Sequence, residues 1–390
     1  MGCSASVPTT APPSAAASPT PQELKAQESA KRIAEMMAEL GIDPASGSGS
    51  FRKALNKKLI AALQRQWYGC ALGMPEELFT PYLKATVALA AADGLDVSET
   101  KWCRNRTMLL GLSPQQSTEL LSFDYRAAAI EPILESLGVE KPSGEYLRRL
   151  IFYDACTMAS QDGFSLDEKV RSIKAAELLK ISERQKDDIQ DMVAEEEQLQ
   201  KRKAALFEGL ARPVGRDREN RPDAQLKRAA MQRLCYGVEV PLNEQLEQRY
   251  VSTLLAVAGA DGLSAAEETW VRDRVAIFGL PPQSVESALS SADVASTGGG
   301  VMPAATGDGS NADVSAPLVA DKAAAVAMLL DATLLAAQDG LSSAETERSA
   351  QAAAQLGLER EAAMEVRAIA LEEQALVQKK LALFGSGTEA

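Results

Sequence analysis

A short pattern, Asp-Gly-(Leu/Phe)-x-x-x-Glu, occurs four times in this 390-residue chain, and the order of its copies constrains the fold more than any other feature. The copies begin at Asp93, Asp162, Asp261 and Asp339 and end at Glu99, Glu168, Glu267 and Glu345. Each follows an Ala-rich apolar run. Such a run predicts a helix, and Gly at its exit tolerates the left-handed backbone that helix ends adopt. The apolar residue after Gly can pack back on the core. A Ser (Asp in the first copy) then precedes the Glu at capping-box spacing, giving the pairs Asp96/Glu99, Ser165/Glu168, Ser264/Glu267 and Ser342/Glu345. Each copy therefore joins two helices through a tight hairpin. Ionised glutamates are favoured at such caps, where they are expected to face solvent.

The four copies fall into two pairs. Gln66-Trp67-Tyr68-Gly69 returns as Leu234-Cys235-Tyr236-Gly237, an offset of 168. At the same offset Tyr82, Asp93, Glu99, Trp102, Arg104, Arg106, Gly111 and Pro114 return as Tyr250, Asp261, Glu267, Trp270, Arg272, Arg274, Gly279 and Pro282. Further on the offset is 177: Asp154, Gln161, Asp162, Glu168, Arg171 and Phe207 return as Asp331, Gln338, Asp339, Glu345, Arg348 and Phe384. The extra residues are accounted for by the Gly/Ser/Ala-rich stretch 297–313, expected to be a disordered loop insertion. The chain reads as a flexible leader over 1–50, a helical module over 51–210, a linker over 211–222 and a second module over 223–385. The fold class is all-α: two tandem helical bundles, each with an internal two-fold repeat, behind a disordered N-terminal tether.

Within each module seven or eight helices of ordinary length are expected. Trp102 and Trp270 are expected as core anchors. Gly111, Gly279 and Gly357 are expected to end their helices as left-handed caps, whereas Lys180 occupies the fourth such place and predicts a less sharp end. The last helix of each module, 186–207 and 359–384, is long and rich in Glu, Gln and Lys. It either lies across its module or projects as a partner surface.

Composition narrows the function. With 46% hydrophobic residues the chain can fill two sizeable cores, and sparse aromatics with abundant Ala favour closely packed helices. A net charge of −13 argues against nucleic acid as a partner, because phosphate binding needs a basic footprint. Histidine is absent, which removes Ser-His and Cys-His nucleophiles and imidazole metal ligands. Cys3, Cys70, Cys103, Cys156 and Cys235 are dispersed and read as reduced thiols. There is no phosphate-binding Gly loop and no nucleophile elbow, so no enzyme activity is expected. No apolar run is long enough to span a bilayer.

The first residues, Met1-Gly2-Cys3-Ser4-Ala5-Ser6, fit the N-myristoylation pattern, with Gly2 as acceptor and Cys3 as a palmitoylation candidate. One myristoyl chain holds a membrane only marginally, so the second would make anchoring stable. An organelle transit peptide is the rival reading, since residues 1–22 lack acids and are rich in Ser, Thr, Ala and Pro. They also lack Arg, as such peptides do not. Residues 23–40 and 51–68 read as amphipathic helices. The second carries Arg52, Lys53, Lys57, Lys58 and Arg65 without an acid. That face is either solvated or helps hold an anionic leaflet.

An Ala-rich helix, then Asp-Gly-x-x-x-x-Glu, then a helix ending near Leu-Gly-Leu, twice in each module, resembles the TerB-like family of tellurite-resistance proteins. The same pattern is weakly similar to parts of the helical scaffold of the chloroplast inner-envelope import machinery. The TerB-like resemblance implies an all-helical fold with an internal two-fold repeat, metal binding, and membrane-linked stress-response complexes. A J-domain, found in a relative of that family, is excluded because its His-Pro-Asp cannot occur here. The hairpins are not EF-hands: taking Gly94 as loop position six puts Leu89 and Ala91 where acids are required. What the resemblance implies is a site for a divalent cation (calcium, magnesium or zinc) on Asp93, Glu99, Asp162 and Glu168 in one module and Asp261, Glu267, Asp339 and Glu345 in the other. Turn and cap chemistry alone accounts for the same residues. The function expected first is a non-enzymatic, lipid-anchored scaffold that recruits proteins to the cytoplasmic face of a membrane. The alternatives are a divalent-metal-binding stress-response protein and a helical scaffold targeted to a chloroplast or other organelle.

Overall fold

The structure, a computed structural model, describes residues 48–91, 95–141, 144–161, 166–210, 223–240, 244–280 and 321–385. Gly2 and Cys3, expected to be acylated, lie outside them, as do the expected linker over 211–222 and the 297–313 stretch. Among the described residues there are fourteen α-helices, one 3-10 turn and no strand. The all-α expectation holds. In chain order the helices are α1 (Ser48–Tyr68), α2 (Phe79–Ala90), α3 (Val97–Leu109), α4 (Pro114–Leu121), α5 (Ile130–Ser136), α6 (Glu145–Ala159), α7 (Leu166–Leu178) and α8 (Glu183–Leu206). The second repeat supplies α9 (Asp223–Tyr236), α10 (Glu244–Ala258), α11 (Ala265–Phe278), α12 (Lys322–Ala336), α13 (Ser343–Gln355) and α14 (Arg360–Phe384). The duplication is legible in the boundaries: α3 and α11 start 168 residues apart, and α6 and α12, α7 and α13, α8 and α14 each start 177 apart.

The chain divides into two compact units, residues 1–57 and 58–390. Of the first, only the opening of α1 is described. The second holds both repeats, and their buried apolar residues are continuous with one another. In repeat 1, α6 is the central helix, packed on α2, α3, α7 and α8. It is buried almost throughout, from Leu150 to Ala159. In repeat 2 the equivalent α12 packs on α10, α11, α13 and α14 and is buried from Ala323 to Ala336. Fourteen consecutive buried residues are possible on a helix because seven of them are Ala or Thr, small enough for neighbours on every side.

The helix ends follow local chemistry. Asp96, Ser264 and Ser342 each accept from the N–H of the Glu three residues on, and each Glu reaches back, so three of the four expected boxes are seen. The fourth, Ser165/Glu168, lies outside the described side chains. Leu95, Leu263 and Leu341 pack back on the core as expected. Gly111, Gly279 and Gly357 are left-handed caps. Lys180 departs from expectation. It adopts φ 54° itself, and Ile181 N–H bonds Ala176 O at 2.8 Å, the same closing bond that Leu358 N–H makes to Ala353 O. The helix end is as sharp as the others: Leu179 and Ile181 on either side pack on the core and hold the Lys between them in a conformation that favours Gly.

The long last helices lie across the molecule. Glu195 and Glu196 of α8 pair with Lys379 and Lys380 of α14, while Arg202 and Lys203 pair with Glu372 and Glu373. Numbers that rise on one helix fall on the other, so α8 and α14 run antiparallel. The tip of each helix then enters the other repeat.

Candidate functional site

The hairpins carry the expected ligands. In repeat 2 the hairpin between α10 and α11 presents Asp261 and Glu267, and that between α12 and α13 presents Asp339 and Glu345. Gly262 and Gly340 take φ of 107° and 108°, which turns the chain sharply between each pair of helices. Asp261 and Asp339 stay exposed at the tips. The glutamates do not face solvent: Glu99, Glu267 and Glu345 are 2%, 1% and 1% exposed. The reason is that each box turns its Glu inward, under the hairpin. In Glu267 and Glu345, Oε2 accepts from the backbone N–H of Ser264 (2.7 Å) and Ser342 (2.8 Å). The other oxygen, Oε1, is buried without a hydrogen-bond partner in both residues.

A buried carboxylate oxygen without a donor is costly, and the electrostatics register it. Burial pushes the Glu267 carboxyl up to about 7, with the charges of Asp339 and Glu345 adding to the rise and its bonds to Ser264 opposing it. Glu345 is likewise raised by burial, with Asp261 and Asp339 pressing on it. The four repeat 2 acids thus feel one another across the two half-repeats. Among the described residues, however, no group of three or more such side chains already stands at metal-holding distance. In repeat 1, Asp93 and Asp162 lie outside the described residues, as does the Glu168 side chain. Glu99 is placed as Glu267 is. Arg171 Nη1, from the first turns of α7, donates to Ala91 O at 2.9 Å, so the second half-repeat closes on the end of α2.

A second constellation has no local motif in the sequence. Deep in repeat 1, Asp154 of α6 accepts from Tyr68 OH (2.8 Å) and Tyr82 OH (2.7 Å), and Arg106 Nη2 lies 2.9 Å from its other oxygen. In repeat 2, Asp331 accepts from Tyr236 OH (2.5 Å) and Tyr250 OH, and Arg274 Nη2 donates to it at 2.8 Å. Both aspartates are fully buried, and both arginines nearly so. The guanidinium of Arg106 rests among the rings of Trp67 (4.6 Å), Trp102 (4.8 Å) and Tyr68 (5.2 Å); that of Arg274 rests on Trp270 (4.6 Å) and Phe278 (5.4 Å). The expected tryptophan anchors therefore act as covers for a buried cation. Burial pushes the Asp154 carboxyl up, against the pull of Arg106 and the two hydroxyls. All four tyrosines are held well above their usual range by burial. None is poised to titrate near neutrality, and each pair is enclosed by its own ligands. These are structural ion pairs. Their signal in the sequence was identity between repeats, since Tyr68, Tyr82, Arg106 and Asp154 all recur.

A third cluster joins the repeats. Lys380 Nζ enters repeat 1, donating to Glu196 Oε1 (2.7 Å) and to Trp67 O (3.0 Å), while Tyr153 OH also donates to Glu196. Burial holds the Lys380 ammonium below its usual range, with Glu196 opposing that. Phe384 follows, its ring 5.3 Å from Tyr153 and 6.2 Å from Tyr68. Reciprocally, Lys203 donates to Glu373 at 2.6 Å and Phe207 lies 5.6 Å from Tyr236. Cys70, Cys103, Cys156 and Cys235 are buried free thiols, as expected; Cys3 lies outside the described residues.

No family model matches the chain, and no curated protein matches it. Among solved structures, it is similar to a tellurite resistance protein from Nostoc punctiforme PCC 73102, with 22% identity over 40% of this chain and 98% of that one, at a TM-score of 0.35.

Proposed function

We propose that this chain is a non-enzymatic binding protein whose paired acidic hairpins take a divalent cation. The observation that carries the reading is the pair of buried, donorless oxygens: Glu267 Oε1 and Glu345 Oε1. A buried oxygen left without a partner needs a positive neighbour, and a cation supplies one where no protein N–H does. Asp261 and Asp339, on the exposed tips above, are the acids that must swing over to complete the set. An all-oxygen, histidine-free donor set suits a hard cation, calcium or magnesium, better than zinc. Calorimetric titration with calcium, magnesium and zinc chlorides tests this. The expected result is heat of binding in the wild type, abolished by Glu267→Gln with Glu345→Gln; no heat in the wild type rejects the reading.

A second reading is favoured by the first residues of the sequence: the chain is a scaffold held at a membrane through acylated Gly2 and Cys3, and its helical surface recruits proteins. No helix among the described residues is long and apolar enough to cross a membrane, so attachment of this kind would rest on the acyl chains. Mass spectrometry of the mature N-terminus decides it. An acylated Gly2 supports the scaffold, a start beyond residue 20 supports the organelle alternative, and membrane association unchanged in Gly2→Ala removes the anchor.

A further inference from the structure

The contacts between the two repeats are reciprocal. Glu196–Lys380 corresponds to Glu373–Lys203, and Glu195–Lys379 to Glu372–Arg202, each position matching its counterpart at the 177 offset. Phe384 sits in the aromatic cluster of repeat 1, and its counterpart Phe207 sits in that of repeat 2. Leu199 and its counterpart Leu376, both buried, lie at the centre, flanking one groove. An arrangement in which residue i meets j and the counterpart of j meets the counterpart of i is that of an isologous dimer, here formed within one chain.

Each repeat is incomplete alone. Without α14, Glu196 and Tyr153 of repeat 1 lose Lys380, and the ring faces of Tyr68 and Tyr153 lose Phe384. Without α8, Glu373 loses Lys203 and Tyr236 loses Phe207. Gly69 shows how closely the partner approaches: a Cβ there would stand 2.7 Å from Val377 O of α14. The contacts consist of side chains and helix faces that do not depend on which chain supplies them. The covalent connection contributes only proximity.

We propose that a second copy of this chain completes the repeats in trans, repeat 1 of one molecule pairing with repeat 2 of another to give a closed dimer with every inter-repeat contact retained. The single-chain form dominates at low concentration, because a short connection holds the repeats at an effective concentration on the order of millimolar. Anything that disfavours pairing in cis exposes the same surface to a second copy.

Two experiments on the full chain test this. In the first, a protease site is inserted between residues 211 and 222 and cut in the folded protein. The halves are expected to stay together as a 1:1 complex in size-exclusion chromatography with light scattering; halves that separate at micromolar concentration overturn the proposal. In the second, one variant carries Glu195→Lys with Arg202→Glu and the other Glu372→Lys with Lys379→Glu. All four positions are substantially exposed, so the folds should survive. Each variant opposes like charges in cis, whereas a mixed dimer restores opposite charges at the 195–379 and 202–372 pairs in both halves, leaving only the contact of position 202 with Glu365 unmatched in one of them. Co-refolding the two at about 100 μM should give at least tenfold more species of doubled mass than either variant alone, well below the concentration at which the wild type would exchange. A mixture containing no more dimer than its components overturns the proposal. Should either variant fail to fold, the cut wild type mixed at about 100 μM with an isotopically labelled cut copy should exchange halves, read as mixed-mass complexes in native mass spectrometry; no exchange overturns the proposal.

Discussion

Phe384 is the last residue of α14, and helix ends fray, so a truncating substitution there would ordinarily cost little. The structure assigns it the opposite weight. Its ring is fully buried, meeting Tyr153 and Tyr68 edge-on at 5.3 and 6.2 Å, in a cluster belonging to the other repeat. Phe384→Ala removes a whole ring from a site bounded by stiff helices α1 and α6, so little collapse is available. Phe→Ala in such sites costs about 3–5 kcal/mol. The edge-on aromatic pairs, worth about 0.5–1.5 kcal/mol each, are contained in that figure. Urea denaturation followed by circular dichroism reads the loss as a lower midpoint at unchanged slope. Met364→Ala, on the exposed side of the same helix at 55% exposure, is the control and should stay within about 0.5 kcal/mol. In a double-mutant cycle with Tyr153→Leu, the residue that repeat 2 carries at this place as Leu330, the coupling should reach about 0.5–1.5 kcal/mol. A loss below about 1 kcal/mol for Phe384→Ala, with no coupling to Tyr153, would refute the seating of α14 in repeat 1.

Asp331→Asn leaves the Arg274 guanidinium buried beside a neutral amide and should cost about 3–5 kcal/mol, against about 1 kcal/mol for Tyr250→Phe; equal losses in denaturation would contradict the ion-pair assignment. Gly69→Ala combines a positive φ of 78° with a clash against Val377 O, whereas Gly237→Ala carries the strain alone, its Cβ meeting only Ala204 at 4.0 Å; Gly69→Ala should lower Tm further. Lys180→Gly should stabilise by about 0.5–1 kcal/mol, because relief of the left-handed strain outweighs the loss of its exposed pair with Glu140. For Glu267 the folded value of about 7 lies above the ordinary 4.5, so between those pH values the folded chain holds a proton that the unfolded chain has released. Its contribution to stability is full below pH about 4.5 and is lost as pH rises towards 7, and Glu267→Gln should flatten that slope in metal-free buffer; an unchanged profile of Tm against pH would contradict the buried carboxyl.

The helices, their caps and the duplication were legible from residue order alone. Asp96/Glu99, Ser264/Glu267 and Ser342/Glu345 were legible because a capping box closes within four residues, and hydrogen bonds that local depend little on what surrounds them. The same locality explains the sequence's two errors. It could place the glutamates at caps but not know that the hairpin roof would bury them, and it could see that Lys180 lacks Gly's freedom but not that packing would impose the same turn. The Asp154 and Asp331 ion pairs and the crossing of α8 and α14 emerge only from the folded arrangement. Lys380 reaches Trp67 across 313 residues of chain, and no pattern within one helix specifies such a partner. What brings them together is the burial of two incomplete cores, each closed by the last helix of the other.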